Sequence, residues 1–368
     1  MADDSAFMHA ALALARRGLG ITAPNPSVAA LVVDERVSPP RMLGRGLTAK
    51  GGRPHAEALA LAQAGEAARE ATLYVTLEPC AERSKRDYGP SCTERILVSG
   101  ITRVVIGARD PSPFAAGQGA ARLKAAGLEV IEGVLQEEAA RLNLGHCLRM
   151  RLGRPFMRLK IAQTSDGFAA TADHTPLAIT GEETRAVVHR MRADVDALIT
   201  GIGTILADDP RLDVRLPGMA DCSPLRVVLD TDGRIPPEAQ MIRDAARVPV
   251  LIATAAPDHV IAKLGARAGV EVIAIPKAGD TLDLAALLGA LSARGITRVM
   301  VEAGPTLANA FAQAGFCDEL VLLTGPNLIQ HGLVALGPGL LAWRSDARLA
   351  ETRQIGPDIL QIYTQVTK

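Results

Sequence analysis

His55 and Glu57 lie two residues apart in GGRPHAEALALAQAG, where a glycine-rich loop turns into an alanine- and leucine-rich helix. Cys80 follows 25 residues after His55, in TLEPC, and Cys92 comes 12 residues later, at the head of CTERILV. An imidazole and two thiols are donors that zinc takes. A hydrolytic zinc site uses three protein ligands and keeps a fourth position for water. Pro54 and Pro79 each precede a ligand candidate and can fix the chain there. Cys92 stands at a predicted helix start, where the dipole favours the thiolate that metals need. A carboxylate is not the expected third ligand beside two thiolates, so Glu57 suits the work of carrying protons.

Taken alone, an H-x-E tripeptide is mostly surface helix, and a lone Pro-Cys says less. The ordered set H-A-E, P-C and a further cysteine, each at a loop-to-helix transition, is specific. It matches the signature of zinc deaminases, in which activated water attacks an amino-bearing ring carbon. The short C-x-x-C spacing of that signature is absent, so the metal reading needs the looped insertion Ala81–Ser91. That insertion carries Arg83, Lys85 and Arg86, which suit a substrate phosphate and equally suit a solvated loop.

The elements around these residues alternate. Apolar residues from Ser5 to Leu19 recur at helical spacing, with Ser5 as the expected N-cap. Strand-like ALVV, TLYVTLE, RVVIGA and EVIEGV are separated by helical segments, which predicts crossover units on a largely parallel sheet. One further helix, LQEEAARLNLGHCLRMRL, closes this half, and the composition breaks at RLGRPF. Beyond it the alternation restarts with FMRLKIAQ, DALITG, LRVVLD, VPVLIAT, VEVIAIP, RVMVEAG and ELVLLT. The irregular ADDPRLDVRLPGMADCSP reads as a long functional or connecting loop. Two α/β domains follow, 1–151 and 152–368.

With Lys+Arg and Asp+Glu both at 40, no global field attracts polyanions, and aromatics at 3% leave no stacking platform for nucleic acid. No apolar run of about 18 residues is present, which argues against a membrane span. The acidic start MADDSAF is unlike a secretory signal, so a cytoplasmic protein is expected. Five sparse cysteines suggest metal binding for Cys80 and Cys92 and inert thiols elsewhere.

The succession of segments is similar to the bifunctional riboflavin-biosynthesis deaminase–reductase family. GLGITAPNPSVAALVV, GGRPHAEALAL, LYVTLEPC and RVVIGARDPSP resemble its deaminase half. RPFMRLKIAQTSDG, RADVDALITGIGTILADDPRLDVR and VEAGPTLANAF resemble its reductase half. The resemblance implies a cytidine-deaminase-like three-layer α/β/α sandwich followed by a dihydrofolate-reductase-like α/β domain. It implies Zn2+ and NADPH as cofactors and a small-molecule pyrimidine ribosyl phosphate as substrate, deaminated first and then reduced from ribosyl to ribityl. By matching position, His55, Cys80 and Cys92 fall on the zinc ligands, Glu57 on the catalytic acid/base, and Asn25 on a residue that orients the pyrimidine. In the second half, Ala162, Thr204, Asp208 and Gly304 fall on the cofactor site, and Lys160, Arg192, Leu212, Arg215 and Glu302 on the substrate site. The residues agree with part of this unaided. No G-x-G-x-x-G follows a strand, so a Rossmann site is not indicated, whereas VEAGPTLANAF offers a strand end, a glycine and a helix N-terminus that suit a phosphate and equally suit an ordinary strand–helix junction.

Departures concentrate in two places. The family's segment between the cysteines is shorter and less charged than AERSKRDYGPS, and its E-G-G appears as Glu302-Ala303-Gly304. A tryptophan common before the I-T pair is Ala178 here. These support a second reading, a zinc deaminase of another nucleobase or nucleotide with a non-catalytic, nucleotide-binding second half. A nucleic-acid-binding zinc module is the third, and the zero net charge counts against it. His189 is expected to pack. A homo-oligomer, dimer or tetramer, is expected on the frequency of symmetric assemblies.

Overall fold

The computed structural model describes residues 3–83, 89–111, 116–172 and 177–365. The chain forms two compact units, Met1–Pro155 with Ser292–Thr297, and Phe156–Leu291 with Arg298–Lys368.

The first unit runs α1 (Asp4–Arg16), β1 (Ala29–Asp34), β2 (Arg41–Leu47), α2 (Ala56–Ala64), β3 (Thr72–Leu77), α3 (Cys92–Val98), β4 (Arg103–Ala108), α4 (Gln118–Ala125), β5 (Glu129–Glu132), α5 (Gln136–Leu142) and α6 (Leu144–Leu152). The cap of α1 is Asp3, whose carboxylate accepts the Ser5 N–H at 3.0 Å; Ser5 itself lies inside the helix. The sheet order is β2-β1-β3-β4-β5. β3, β4 and β5 are parallel, but β1 runs antiparallel to both its neighbours, so this sheet is mixed where the alternation predicted a mainly parallel one. The reason is that β1 and β2 follow one another without a helix between them, and directly linked neighbours pair antiparallel. The closing helix is also broken in two. Asn143 turns its amide back onto the Ala139 carbonyl at 3.1 Å, and the backbone leaves helical geometry there. This is the competition between a short polar side chain and the helical ladder.

Helix α2 carries the first site, and its seat on the sheet is set by small residues. Ala56, Ala60 and Ala64 recur every fourth position and are buried, making one flat stripe. Opposite them stand Gly44 and Gly46 of β2. A Cβ at Gly44 would collide with the Ala60 carbonyl, and one at Gly46 with the Ala56 carbonyl. Only glycine allows helix backbone and strand backbone to touch this closely.

The second unit continues with β6 (Phe156–Gln163), β7 (Phe168–Thr171), α7 (Glu182–Ala193), β8 (Ala197–Gly201), α8 (Ile202–Asp208), β9 (Leu225–Leu229), α9 (Gln240–Arg243), β10 (Val250–Thr254), α10 (Pro257–Leu264) and β11 (Val270–Ala274). It then forms β12 (Lys277–Ala278), β13 (Thr281–Leu282), α11 (Leu284–Ala293), β14 (Arg298–Glu302), α12 (Pro305–Gln313), β15 (Glu319–Thr324), β16 (Gly332–Val334), α13 (Pro338–Ser345), β17 (Ala347–Ile355) and β18 (Asp358–Gln365). The main sheet has the order β11-β10-β9-β8-β14-β6-β15-β18-β17. Its strands from β11 to β15 are parallel, with an antiparallel hairpin, β17–β18, at one edge. The fully buried strands were legible as apolar runs. The hairpin was not, because β17 is mostly exposed and polar, as an edge strand should be. β14 enters late in the chain between β8 and β6, so the strand order reverses beside it. In open α/β sheets ligands bind at the carboxyl ends of strands next to such a reversal.

Candidate active sites

His55 is the N-cap of α2, Cys80 follows β3 across Glu78-Pro79, and Cys92 is the first residue of α3. Helix α3 is held by a capping box in which Ser91 and Glu94 satisfy each other's backbone N–H. The three side chains meet. His55 Nδ1 lies 3.4 Å from Cys92 Sγ and 3.8 Å from Cys80 Sγ, and the Cys92 N–H points at Cys80 Sγ from 3.4 Å. Tetrahedral zinc, with bonds of about 2.0–2.3 Å, places neighbouring N and S ligands about 3.5 Å apart. The donor set and its spacing both fit that ion. One ligand atom from each of the three residues lies within 4.8 Å of the other two.

The electrostatics point the same way. The Cys80 thiol is held down at about 4, first by the Cys92 hydrogen bond and then, against burial, by His55. Cys92 is pushed far up by its hydrogen bond to Cys80 and by burial. Glu57, in the first turn of α2, is buried, which raises its carboxyl above the ordinary range; the Cys80 thiolate adds to the rise. His55 is raised as well, mainly by its hydrogen bond to Cys80. On the far side of the imidazole, Asn25 Nδ2 lies 3.3 Å from Nε2 and donates to the Gly52 carbonyl at 2.8 Å.

Two features around this centre were not anticipated. Arg83 donates through Nε to both carboxylate oxygens of Glu94 at 3.0 Å, which commits it to the α3 cap instead of a substrate phosphate. Arg122 of α4 donates to the Ala81 carbonyl at 2.9 Å, tying down the start of the loop. Lys85 and Arg86 lie outside the described residues. The second feature is Glu78, buried beside Pro79. Its carboxylate accepts the Gly117, Ala120 and Asp110 N–H groups at 2.9, 3.0 and 3.2 Å. It therefore ties the segment after β4 and the start of α4 to the strand that delivers Cys80. A buried acid between a strand and Pro-Cys was the available signal, but its partners stand 32 to 42 residues away.

In the second unit, Glu302 ends β14 and sits in register with Lys160 of β6. Arg192 of α7 grips the Glu302 carboxylate with Nε at 2.6 Å and Nη2 at 3.0 Å, and Lys160 Nζ stands 3.8 Å away. Burial alone would raise this carboxyl, yet the Arg192 charge and hydrogen bonds, with Lys160 behind them, hold it at about 2. Arg192 Nη1 donates onward to the Asp213 carbonyl at 3.0 Å. That brings in the loop bearing buried Leu212 and half-exposed Arg215. All five substrate-site candidates therefore belong to one connected group. His189 does more than pack: its Nδ1 accepts the Arg215 N–H at 3.3 Å.

The cofactor candidates are spread over neighbouring strand ends. Ala162 lies on β6, Thr204 and Asp208 on α8 directly after β8, and Gly304 is the N-cap of α12 after β14. Gly304 has φ −61°, which any residue adopts, and a Cβ there would meet nothing within 4 Å. Neither the backbone nor internal packing demands glycine at this point. The open space faces the N-terminus of α12, and that suits close approach by a phosphate-bearing cofactor.

Known proteins share this architecture. The cytidine and deoxycytidylate deaminase zinc-binding region matches residues 1–108, and the RibD C-terminal domain matches residues 155–361. The riboflavin biosynthesis protein RibD of Aquifex aeolicus is 38% identical over 330 residues, covering 90% of this chain and 89% of its own. The chain belongs to the RibD family. The Escherichia coli RibD is 36% identical over 373 residues, 97% of this chain and 98% of its own. Acinetobacter baumannii RibD has a crystal form of TM-score 0.85 at 36% identity, with 99% of each chain covered. A Thermotoga maritima deaminase/reductase gives TM-score 0.84 at 32% identity and the same coverage. As a RibD protein, this chain is a bifunctional deaminase–reductase of riboflavin biosynthesis, with a cytidine-deaminase-like zinc domain followed by a reductase domain that uses NADPH. No helix among the described residues is long and apolar enough to cross a membrane.

Proposed function

We propose that deamination takes place at His55, Cys80, Cys92 and Glu57, with 2,5-diamino-6-ribosylamino-4(3H)-pyrimidinone 5′-phosphate as substrate. The observation that carries this is the convergence of one imidazole and two thiols, at zinc-ligand spacing, beside a buried carboxyl. The Thermotoga maritima neighbour is a diaminohydroxyphosphoribosylaminopyrimidine deaminase and 5-amino-6-(5-phosphoribosylamino)uracil reductase, which supports this substrate class. His55 Nδ1 and the two Sγ atoms hold the zinc, which when bound supplies the Lewis acidity that makes water nucleophilic near neutral pH. Glu57 takes one proton of the attacking water on its carboxylate and passes it to a ring nitrogen, then takes the second from the newly added hydroxyl as the carbonyl forms and gives it to the departing amine. Burial raises this carboxyl, so it holds a proton more firmly than an exposed glutamate and suits a group that carries protons between atoms. Asn25, pinned by the Gly52 carbonyl, orients the pyrimidine.

In the reductase unit Ala162, Thr204, Asp208 and Gly304 hold NADPH, which supplies a hydride when bound. Lys160, Arg192, Leu212, Arg215 and Glu302 hold the deaminated product. Its sugar C1′, in the ring-opened imine form, would accept the hydride while the imine nitrogen takes a proton from solvent, giving the ribityl amine. Zinc-loaded protein given the diamino substrate is expected to release ammonia and oxidise NADPH, and Glu57→Gln to abolish both. Ammonia release that survives Glu57→Gln would overturn the assignment. Oxidation of NADPH by the variant supplied with deaminated product would show the second site intact. The finer expectation of a dimer or tetramer is tested by sedimentation of the holoenzyme.

A further inference from the structure

Asp213 is an acid with no exposed surface in a loop of arginines. Its Oδ1 lies 2.6 Å from Arg215 Nη1, and its Oδ2 lies 2.6 Å from Arg247 Nη2 and 3.1 Å from Arg211 Nη2. Each of these three side chains is close to half exposed, at 44 or 45%, so each is tied at a buried acid and open to solvent elsewhere. The loop backbone is fixed as well. Fully buried Arg226 donates to the Arg211 carbonyl at 2.9 Å, Ser223 Oγ accepts the Val214 N–H at 3.0 Å, and Gln240 binds Asp209 through both its backbone and its side chain. Two non-glycine residues sit in the left-handed region, Asp209 at φ 40° and Leu212 at φ 50°. Such conformations are strained for residues with a Cβ and persist only where the surroundings enforce them. A passive linker needs neither the ties nor the strain.

We propose that Asp213 is a positioning residue that gathers Arg211, Arg215 and Arg247 into one receptor for the phosphate monoester of the reductase substrate. The inference rests on the placement of Arg215 in that substrate site. Without the acid, three like charges repel and spread; with it, they converge on one point. Asp244 binds Arg226 at 2.7 Å and Arg247 at 2.9 Å, so four arginines stand against two aspartates. The group keeps two net positive charges, the complement of a phosphate dianion. Arginine forks suit that ligand. The Arg192 link from Asp213 to Glu302 places the receptor beside the substrate group.

The test uses full-length holoenzyme carrying Asp213→Ala or Asp213→Asn, assayed with the deaminated product and with its dephosphorylated form. For Asp213→Ala the KM for the phosphorylated product is expected to rise about tenfold, with kcat within about twofold, as for the loss of one charge-assisted contact. Asp213→Asn, which retains an acceptor, should recover part of the loss. Competitive inhibition by inorganic phosphate should weaken in step, while the KM for the dephosphorylated product should stay put. Equal losses on both forms would make Asp213 merely structural and overturn the proposal. A rise confined to the NADPH KM would overturn it too, assigning the arginines to the cofactor's phosphate. If Arg215→Ala leaves the product KM unchanged, the substrate-site placement itself fails. Should Asp213→Ala not fold, Asp213→Asn and Arg247→Gln carry the same comparison.

Discussion

Glu57 has its carboxyl out of water in the first turn of a helix, beside the Cys80 and Cys92 thiols. Replacing it by Gln preserves shape and burial but removes the group that changes protonation state. Ammonia release should be abolished, a loss beyond the roughly 10²-fold lower end of general acid–base catalysis, while bound zinc measured by elemental analysis stays unchanged. Cys92→Ser acts differently. A hydroxyl at the first position of α3 is a poor zinc ligand, so zinc content and deamination should be lost together, with NADPH oxidation on supplied deaminated product retained. Zinc bound at full stoichiometry by Cys92→Ser would remove Cys92 from the ligand set. These residue types and their order were readable in the chain. Their meeting was not, because it depends on Sγ atoms brought together from residues 12 positions apart and on an imidazole 25 positions earlier.

Helix α2 shows how an element places those residues. Its alanine stripe lies against Gly44 and Gly46, and the strand backbone stands where side chains would otherwise be. Gly46→Ala would force α2 away from β2, at a cost of about 1–3 kcal/mol for overpacking, and would move His55 and Glu57 with it. The expected result is a lower unfolding midpoint, reduced zinc occupancy and weakened deamination, with the reductase reaction unaffected. A variant with full zinc occupancy and activity would show that α2 does not depend on this contact. The helix start after Pro54 was predictable from the alanine- and leucine-rich run. Its partner was not, because two glycines in RMLGRGL carry no apolar signal and gain meaning only once the helix lies on them. The joint at Asn143 was missed for a related reason. The apolar periodicity runs through it, and one local hydrogen bond outweighs the pattern.

At the scale of the molecule, the two units titrate and fail by different routes. In the reductase unit Glu302 is held at about 2 from an ordinary value of 4.5, so the folded state binds the proton less tightly than the unfolded one. Its contribution is fully present above the ordinary carboxylate range and is lost as pH falls from about 4.5 through about 2. Thermal unfolding of the intact protein should therefore lose reductase-unit stability across that window, and Glu302→Gln should flatten the slope. An unchanged slope would show that the Arg192–Glu302 pair contributes nothing there. The sequence by itself determined the donor set, the order of the apolar strands, the helix that begins after Pro54, and the kinship that assigns both halves. These are local patterns or ordered motifs, and they survive without coordinates. Tertiary structure alone decided the antiparallel half of the first sheet, the backbone groups that Glu78 gathers, and the commitment of Arg83 to Glu94. It alone also brought Arg247 to Asp213 across 34 positions. Buried charges must find partners, and which partners they find is set by the segments that packing brings beside them.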